Sequence, residues 1–387
     1  ETAPATDAPP PPPAPSPYAP AADDVRRLAD ALRDAERPVF IAGRGARTDD
    51  ARSALTRLAD RCGALLATSA VAKGLFRDDP WSLDVSGGFA SPLAAELIGD
   101  SDLVVGFGCT LNMWTTRHGR LIADDAVVVQ VDDDPGRLGL HRDVALGVLG
   151  DVAATAAATA DLLADASPVG HRTESVRAAL AERGHWSRTP FDDSSTAQRI
   201  DPQLLTRTLD EMLPDERAVA IDSGNFMGYP SMFLRVPDER GFCFTQAFQS
   251  IGLGLATAIG TALAQPDRLP VAALGDGGAL MAAAELETVV RLGLPMVVIV
   301  YNDAAYGAEV HHFASSGQSL DTVTFPDTDF AAIARGYGYD VVTVRRFGDL
   351  DRVAGWIAGP RTSPLLIDAK VLTDEPSWWL EEAFRGH

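Results

Sequence analysis

Residues 271–281 read VAALGDGGALM, and this stretch determines how the rest of the chain is interpreted. An apolar run typical of a buried strand stops at Gly275, and Asp276 follows between glycines, ahead of an apolar segment with helical spacing. In sheets that carry helices on both faces, ligands bind beyond the carboxyl ends of the strands. We therefore predict that Asp276 lies at a strand tip, where glycines and a helix N-terminus let an anionic ligand approach the backbone.

The next apolar run supplies a second set of oxygen donors. It reads PMVVIVYND and ends in Asn302 and Asp303, and Asp303 lies 27 residues after Asp276. That length accommodates one helix and one strand returning to the same sheet edge. Asp276 alone would repel a phosphate. With Mg²⁺ bound to it, the same carboxylate would help to bind a phosphate, because Mg²⁺ prefers carboxylate and phosphate oxygens as ligands. The pattern predicts a magnesium–phosphate site, with Asn302 or Asp303 as the second ligand.

Apolar runs alternate with amphipathic helical stretches along most of the chain. This alternation predicts an α/β fold with two doubly wound domains, each a mostly parallel sheet covered by helices, with five strands in the first and six in the second. One continuous helix is expected over residues 280–293. We predict a Pro/Ala-rich linker at 1–21, a central α/β domain at 22–166, a connector at 167–200, the phosphate- and Mg-binding domain at 201–372 and a tail at 373–387.

Charge and cysteine content exclude several classes of protein. The 33 basic and 54 acidic side chains give a formal charge of −21, and such a surface repels nucleic acid and anionic membranes. Cys62, Cys109 and Cys243 lie far apart, which favours buried free thiols in a reducing compartment. Neither a membrane-span-length apolar stretch nor a signal peptide is visible. We therefore expect a cytoplasmic location, with no nucleic acid or membrane as partner.

Three segments of the second domain resemble one family. Residues 275–303, GDGGALMAAAELETVVRLGLPMVVIVYND, are similar to the thiamine-diphosphate signature of the acetolactate synthase, benzoylformate decarboxylase and pyruvate oxidase group. Residues 250–268 resemble the segment before that signature, and residues 218–226, AVAIDSGNF, fall where those enzymes keep a strand and a diphosphate-binding loop. PVFIAGRGA, SDLVVGFG and VVVQVDDDPGRLG resemble their central domain. The resemblance spans roughly residues 22–370.

The resemblance implies a ligand set for thiamine diphosphate and Mg²⁺. The metal would be bound by the side chains of Asp276 and Asp303 and by the carbonyl of Ala305. The family usually has Asn at the position of Asp303, so the choice between Asn302 and Asp303 stays open. Ile251 matches the apolar residue that holds the cofactor bent, with a plain core position as an equal alternative. The implied cofactor-binding residues are Gly224, Asn225, Phe226, Ile251, Gly275, Asp276, Gly277, Gly278, Asp303 and Ala305.

Other candidates lie near the reacting end of the cofactor. Tyr306, Glu309 and His311, in the segment YGAEVHHF, are tentative proton-transfer residues, and a solvated helix face is the alternative. Trp378 and Trp379 form either a lid over the substrate or part of the core. Where flavin-using relatives often keep Arg-Phe-Asp-Asp-Arg, this chain reads TLNMWTTRHG, so we expect no FAD.

The implied function is decarboxylation of a 2-oxo acid with carboligation, dependent on thiamine diphosphate and Mg²⁺, as in acetolactate synthase. This makes the chain part of a lyase or transferase. A simple 2-oxo-acid decarboxylase is one alternative, and a non-catalytic remnant that binds the cofactor or a partner chain is another.

The family resemblance also predicts an incomplete active site. Members carry an N-terminal domain that binds the aminopyrimidine ring and supplies the activating glutamate, and this domain is not recognised here. We therefore expect a fragment or one half of a split enzyme. Because the two halves of one site come from different subunits in the family, we expect a homodimer or homotetramer, or pairing with a chain that carries the pyrimidine-binding domain.

Overall fold

The structure, a computed structural model, describes residues 17–165, 168–245, 248, 250–314, 316–374 and 376–384. Residues 1–16 of the predicted linker and 385–387 of the predicted tail lie outside this part. The described residues form two six-stranded parallel sheets flanked by helices, as predicted for an α/β fold with two doubly wound domains. The first sheet lies within 22–166 and the second within 201–372, while the domain boundaries themselves stay predictions.

The first sheet has the strand order β3-β2-β1-β4-β5-β6. The elements of this region are α1 (Ala22–Asp34), β1 (Pro38–Ala42), α2 (Asp49–Cys62), β2 (Leu65–Thr68), β3 (Ser82–Val85), α3 (Pro92–Gly99), β4 (Leu103–Phe107), α4 (Met113–Thr116), β5 (Val127–Asp132), β6 (Leu146–Leu149) and α5 (Val152–Leu162). The prediction of five strands was wrong because it omitted β3. This edge strand has four residues and buries only Leu83 and Val85, so it lacks a continuous apolar run.

The second sheet has the order β11-β12-β10-β9-β7-β8. The connector helix and the elements of the second region are α6 (Glu174–Arg183), α7 (Pro202–Met212), β7 (Arg217–Ile221), α8 (Gly228–Phe233), β8 (Phe242–Phe244), α9 (Gly254–Ala264), β9 (Leu269–Gly275), α10 (Asp276–Met281), α11 (Glu285–Arg291), β10 (Val297–Asn302), α12 (Gly307–Ala314), α13 (Phe330–Tyr337), β11 (Asp340–Val344), α14 (Asp351–Ala358), β12 (Leu365–Lys370) and α15 (Trp378–Phe384). Central strands are buried on both faces: along β9, Val271 and Ala273 pack into one cluster and Ala272 and Leu274 into another.

The continuous helix expected over residues 280–293 is not formed. The chain becomes helical already at Asp276, and α10 and α11 are separated by a turn at residues 282–284. In the turn, the amide of Glu285 donates to the carbonyl of Ala282, and that of Leu286 to the carbonyl of Ala283. These bonds between residues three apart are those of a 3₁₀ turn, which an apolar pattern does not distinguish from an α-helix.

Basic side chains of the first region contact the second region. Lys73 Nζ donates to the carbonyl of Ser231, and Arg47 Nη2 donates to the carbonyl of Glu239 over 2.7 Å. Burial lowers the pKa of Lys73, whose side chain is almost inaccessible to solvent. The two sheets therefore meet across an interface that holds a buried amine. Among the described helices, none is both long enough and apolar enough to cross a membrane.

Candidate cofactor and metal site

The carboxyl ends of three neighbouring strands converge at one pocket. β7, β9 and β10 lie side by side in the second sheet, and their ends lead into Gly224, Asp276 and Asp303 respectively. All ten residues that the sequence predicts to bind a cofactor line this pocket, together with Tyr306 and Glu309. The topology thus brings the predicted residues together as expected for the strand ends of an α/β sheet, while their roles stay predictions.

Two carboxyl groups of the pocket lining lie side by side. Asp276 is 1% exposed, its Oδ1 accepts a 2.8 Å hydrogen bond from the amide of Gly277, and its carboxyl group lies within hydrogen-bonding range of that of Asp303. Burial raises the pKa of Asp276 to about 6. Burial and then the adjoining charge of Asp276 raise the pKa of Asp303 well above its usual value. A cation between these groups would relieve both effects.

Asn302 and Asp303 point in different directions. The Nδ2 of Asn302 donates to Asp368 Oδ1 over 3.0 Å and to the carbonyl of Thr328 over 3.1 Å. Asp303 instead lies beside Asp276 and Gly307. A Cβ built on Gly307 would come 2.2 Å from Asp303 Oδ2. Consecutive residues at a strand end face opposite sides, which explains the difference. The geometry therefore directs Asp303, and not Asn302, toward Asp276.

The loop after β10 presents backbone groups to the carboxyl pair. Ala304 adopts a left-handed conformation with φ of 59°, and the amides of Ala304 and Ala305 face the Asp276 carboxylate. The carbonyl of Ala304 accepts from the amide of Phe325 over 3.0 Å, and the amide of Tyr306 donates to the carbonyl of Val323 over 2.8 Å. These bonds fix the loop on which the carbonyl of Ala305 lies.

Glycines make room for side chains around the pocket. A Cβ on Gly277 would come 2.3 Å from the ring of Tyr306, and one on Gly278 would come 2.5 Å from Asp222 Oδ2. Since real Cβ atoms do not approach other atoms so closely, a larger residue at either position would displace Tyr306 or Asp222. The glycines that the sequence analysis associated with ligand approach thus also allow the aromatic and acidic side chains to pack closely.

Asp222 is a site residue that the sequence analysis did not single out. It is 3% exposed, and its carboxylate accepts hydrogen bonds from the amide of Ser223, which lines the pocket, and from that of Gly252, which follows the pocket-lining Ile251. It therefore ties the end of β7 to the segment that carries Ile251, whose side chain lies 3.4 Å from a Cβ position on Gly278. Asp222 follows an apolar run as Asp276 does, and this was the available signal.

The remaining candidates divide into two groups. Tyr306 and Glu309 line the pocket, whereas His311 is absent from its lining and has a pKa lowered by partial burial. Trp379 is 7% exposed and belongs to the core of the second region. Trp378 packs edge-on against Trp186 with ring centroids 5.4 Å apart. Both tryptophans thus pack against other side chains of the protein, as expected if they are part of the core and not a lid over the substrate.

The donor set fits Mg²⁺. Asp276 Oδ2 is buried, and neither the nearby amides of Ala304 and Ala305 nor Asp303 forms a hydrogen bond of good geometry with it, so an acceptor is left for a cation. In the part of the chain that the structure describes, no group of three or more His, Cys, Asp or Glu side chains is suited to a metal. Two adjoining carboxyl groups, with ligand phosphates completing the shell, are the kind of oxygen donors that Mg²⁺ prefers.

The equivalent strand ends of the first sheet are closed by backbone contacts. The amide of Gly43 donates to the carbonyl of Phe107 over 2.9 Å, and the amide of Gly45 donates to the carbonyl of Gly108 over 3.1 Å. A Cβ on Gly43 would come 2.3 Å from the carbonyl oxygen of Gly108. These amides are therefore engaged within the protein. The expectation of no FAD stays a prediction.

Two family profiles match separate parts of the chain. Residues 25–159 match the profile of "Thiamine pyrophosphate enzyme, central domain", and residues 222–369 match "Thiamine pyrophosphate enzyme, C-terminal TPP binding domain".

Similar proteins are of several kinds. A sulfoacetaldehyde acetyltransferase of Alcaligenes xylosoxydans xylosoxydans is 29% identical over 74% of this chain and 52% of its own length. An acetolactate synthase large subunit of Parasynechococcus marenigrum is 28% identical over 93% of this chain and 58% of its own. A pyruvate oxidase of Lactiplantibacillus plantarum is 28% identical over 92% of this chain and 58% of its own. The chain thus spans between half and two thirds of the length of these relatives.

Proposed function

The chain belongs to the thiamine pyrophosphate enzymes, and from this premise we propose that it is the central and diphosphate-binding part of an enzyme that decarboxylates 2-oxo acids and joins the product to a second carbonyl compound. The observation that carries the proposal is the buried contact between Asp276 and Asp303 at the tips of adjacent strands. Carboligation is supported by the acetolactate synthase subunits among the relatives.

The proposed cofactor site uses the pocket residues in distinct roles. The side chains of Asp276 and Asp303 and the carbonyl of Ala305 hold Mg²⁺, and the metal is supported by the unpartnered Asp276 Oδ2. Thiamine diphosphate, when bound, supplies an electron sink for the loss of carbon dioxide. Gly224, Asn225, Gly277 and Gly278 donate to the diphosphate, and the remaining contacts come from Phe226, Ile251 and Gly275.

Tyr306 and Glu309 are proposed to act at the reacting end of the pocket. Both line it, and Tyr306 follows directly on the loop that carries Ala305. A phenol and a carboxyl group at this place can hold or transfer a proton near a substrate carbonyl. His311 is not assigned a role, because it is absent from the pocket lining.

We propose a cytoplasmic enzyme that associates with itself or with a chain carrying a pyrimidine-binding domain. Leu280 and Met281 on α10 are 41% and 57% exposed and lie next to the pocket glycines, so they offer an apolar surface for such a contact. Free, buried Cys62 and Cys109 are compatible with a reducing compartment.

Calorimetric titration of the purified chain with thiamine diphosphate tests the cofactor site. We expect binding that requires Mg²⁺ and is lost on chelation with EDTA. Asp276→Ala should weaken this binding by about a hundredfold or more, because a charged metal ligand is removed. Asp321→Ala, at an exposed position of the same region, is the matched control. Normal affinity in Asp276→Ala would contradict the metal assignment.

Substrate turnover tests the reaction. The chain is assayed alone and with a separately supplied pyrimidine-binding domain of the same family, measuring carbon dioxide and the organic product from several 2-oxo acids. A condensed hydroxy-keto product supports carboligation, and an aldehyde alone supports the simple decarboxylase. Cofactor binding without carbon dioxide release from any combination would favour the non-catalytic alternative.

A further inference from the structure

The C-terminal segment forms three hydrogen bonds to a single pocket residue, Asn225. The amide of Ser377 donates to Asn225 Oδ1 over 2.8 Å, and Ser377 Oγ donates to the Asn225 carbonyl over 2.7 Å. Trp379 Nε1 donates to the same carbonyl over 2.8 Å. All three residues are less than 9% exposed, so water does not compete effectively for these bonds.

These contacts determine which end of the Asn225 amide faces the pocket. A backbone N–H can only donate, so the oxygen of the amide must face Ser377 and the NH₂ group must lie on the other side. Asn225 lines the pocket, and its Nδ2 donates to no residue in the described part of the chain. The Ser377 amide therefore leaves a hydrogen-bond donor available to a ligand.

The position of the segment is fixed by packing on three parts of the molecule. Trp379 lies against Gly228, where a Cβ would come 2.0 Å from the indole ring. The ring centroids of Trp379 and Phe89 are 6.2 Å apart. Trp378 packs on Trp186 of the connector, and the guanidinium of Arg117 lies 4.7 Å from its ring centroid. Arg117 is in turn bonded to the carbonyls of residues 87 and 90. The C-terminal segment therefore packs in a fixed position against both regions and the connector.

We propose that Ser377 and Trp379 are positioning residues whose side chains hold the Asn225 carbonyl, and with it the loop, so that Nδ2 of Asn225 is directed toward the diphosphate of the bound cofactor. The inference rests on the proposed function, because it requires that the pocket binds a diphosphate. Neither residue touches the ligand; both act through Asn225. Fixing a donor before the ligand arrives avoids the loss of side-chain entropy that ordering it on binding would entail.

Inorganic pyrophosphate with Mg²⁺ is the probe, because it carries the recognised group without the rings. We expect Ser377→Ala and Trp379→Phe each to weaken its binding by about three- to tenfold, the range of one hydrogen bond. Ser377→Thr keeps the hydroxyl and should restore affinity. Trp356→Phe removes the same kind of N–H group, bonded to Ser363 at a distance from the pocket, and should bind as the original chain does.

The outcomes separate the two proposals. If the original chain binds pyrophosphate and Ser377→Ala and Trp379→Phe bind it equally well, the positioning role is wrong while the cofactor site stands. If the original chain does not bind it, the proposed function fails and the positioning role with it. Urea unfolding of the metal-free variants checks that each variant is folded at the start of the titration, so that a loss of affinity reports on the site. Lost affinity that Ser377→Thr does not restore would also overturn the inference.

Discussion

Asp276 and Asp303 bring two carboxyl groups into contact inside a buried pocket, and removing one of the charges should therefore affect stability and binding differently. If Asp303 binds Mg²⁺ as proposed, the amide oxygen introduced by Asp303→Asn can take the place of the carboxylate oxygen. We expect thiamine diphosphate affinity to change by less than about tenfold, since the other ligands are kept. The metal-free protein should become more stable, because a buried carboxylate next to another is removed.

Calorimetric titration and urea unfolding in EDTA measure the two effects in Asp303→Asn. A much larger loss of affinity would mean that the carboxylate has a role beyond coordination. Unchanged or reduced stability in EDTA would mean that the two carboxyl groups already share a proton without strain.

Some residues of the candidate site could be predicted from the sequence, and others could not. Asp276 and Asp303 could be predicted because each follows an apolar run, and their 27-residue separation fits one helix and one strand. Ser377 could not, because its contact with Asn225 joins residues 152 positions apart through groups that many loops contain. The direction of Asn302 was also open, since it depends on the partners that its side chain finds in Asp368 and Thr328.

At the scale of elements, two glycine-to-alanine substitutions should have opposite effects. Gly63 ends α2 with φ of 67°, and a Cβ there would come 2.3 Å from the carbonyl oxygen of Val169. Gly63→Ala should therefore lower the free energy of unfolding by about 1–2 kcal/mol or more. Gly355 lies exposed within α14 with nothing near its Cβ position, so Gly355→Ala should raise it by about 0.5–1 kcal/mol.

Urea unfolding of the two variants beside the original chain measures these changes. A neutral Gly63→Ala would show that the end of α2 and the connector backbone at Val169 can move apart at little cost. A destabilised Gly355→Ala would contradict the view that this part of α14 is limited by backbone entropy alone.

Elements with long apolar patterns could be predicted from the sequence, and those without them could not. Strands such as β9 and β10 are buried on both faces and read as continuous apolar runs. β3 is short and half-exposed, so its sequence resembles a loop. The break between α10 and α11 was missed because the three alanines between them are strong helix formers, so local propensity favours one continuous helix.

For the whole molecule, Lys73 makes stability depend on pH. Burial lowers the pKa of Lys73 in the folded state below the pKa of a lysine in the unfolded chain. At pH values between these two pKa values, the unfolded chain therefore binds more protons than the folded one. This contribution to stability therefore increases as pH rises. Lys73→Met removes the titrating group, so the original chain should gain stability relative to the variant between about pH 7 and about pH 9.5.

Urea unfolding at the two pH values measures the difference between the chain and Lys73→Met. The control is Arg77→Met, because Arg77 donates to the carbonyl of Val236 across the same interface and arginine side chains do not lose their proton in proteins. Its difference from the original chain should not change with pH. Parallel behaviour of Lys73→Met and the original chain would mean that Lys73 is solvated in solution.

Association is the second prediction for the whole molecule. If Leu280 and Met281 take part in a contact between chains, Met281→Lys should weaken association, because it places a charge on the apolar surface. Sedimentation velocity at several concentrations, with Leu140→Lys as a control for an exposed leucine of the first region, measures the change. Self-association that is unaffected by Met281→Lys would place the contact elsewhere.

The opposite directions of Asn302 and Asp303 limit how this sequence can diverge. A single-residue insertion within β10 would bring Asn302 to the position of Asp303, so the carboxylate beside Asp276 would be lost. A single-residue deletion would bring Asp303 to the position of Asn302, where it faces the buried Asp368 without an amide group to donate to it. Exchanges of one strand residue for another leave this order intact. In a library of variants or a lineage of descendants, β10 should therefore tolerate changes of composition far more readily than changes of length.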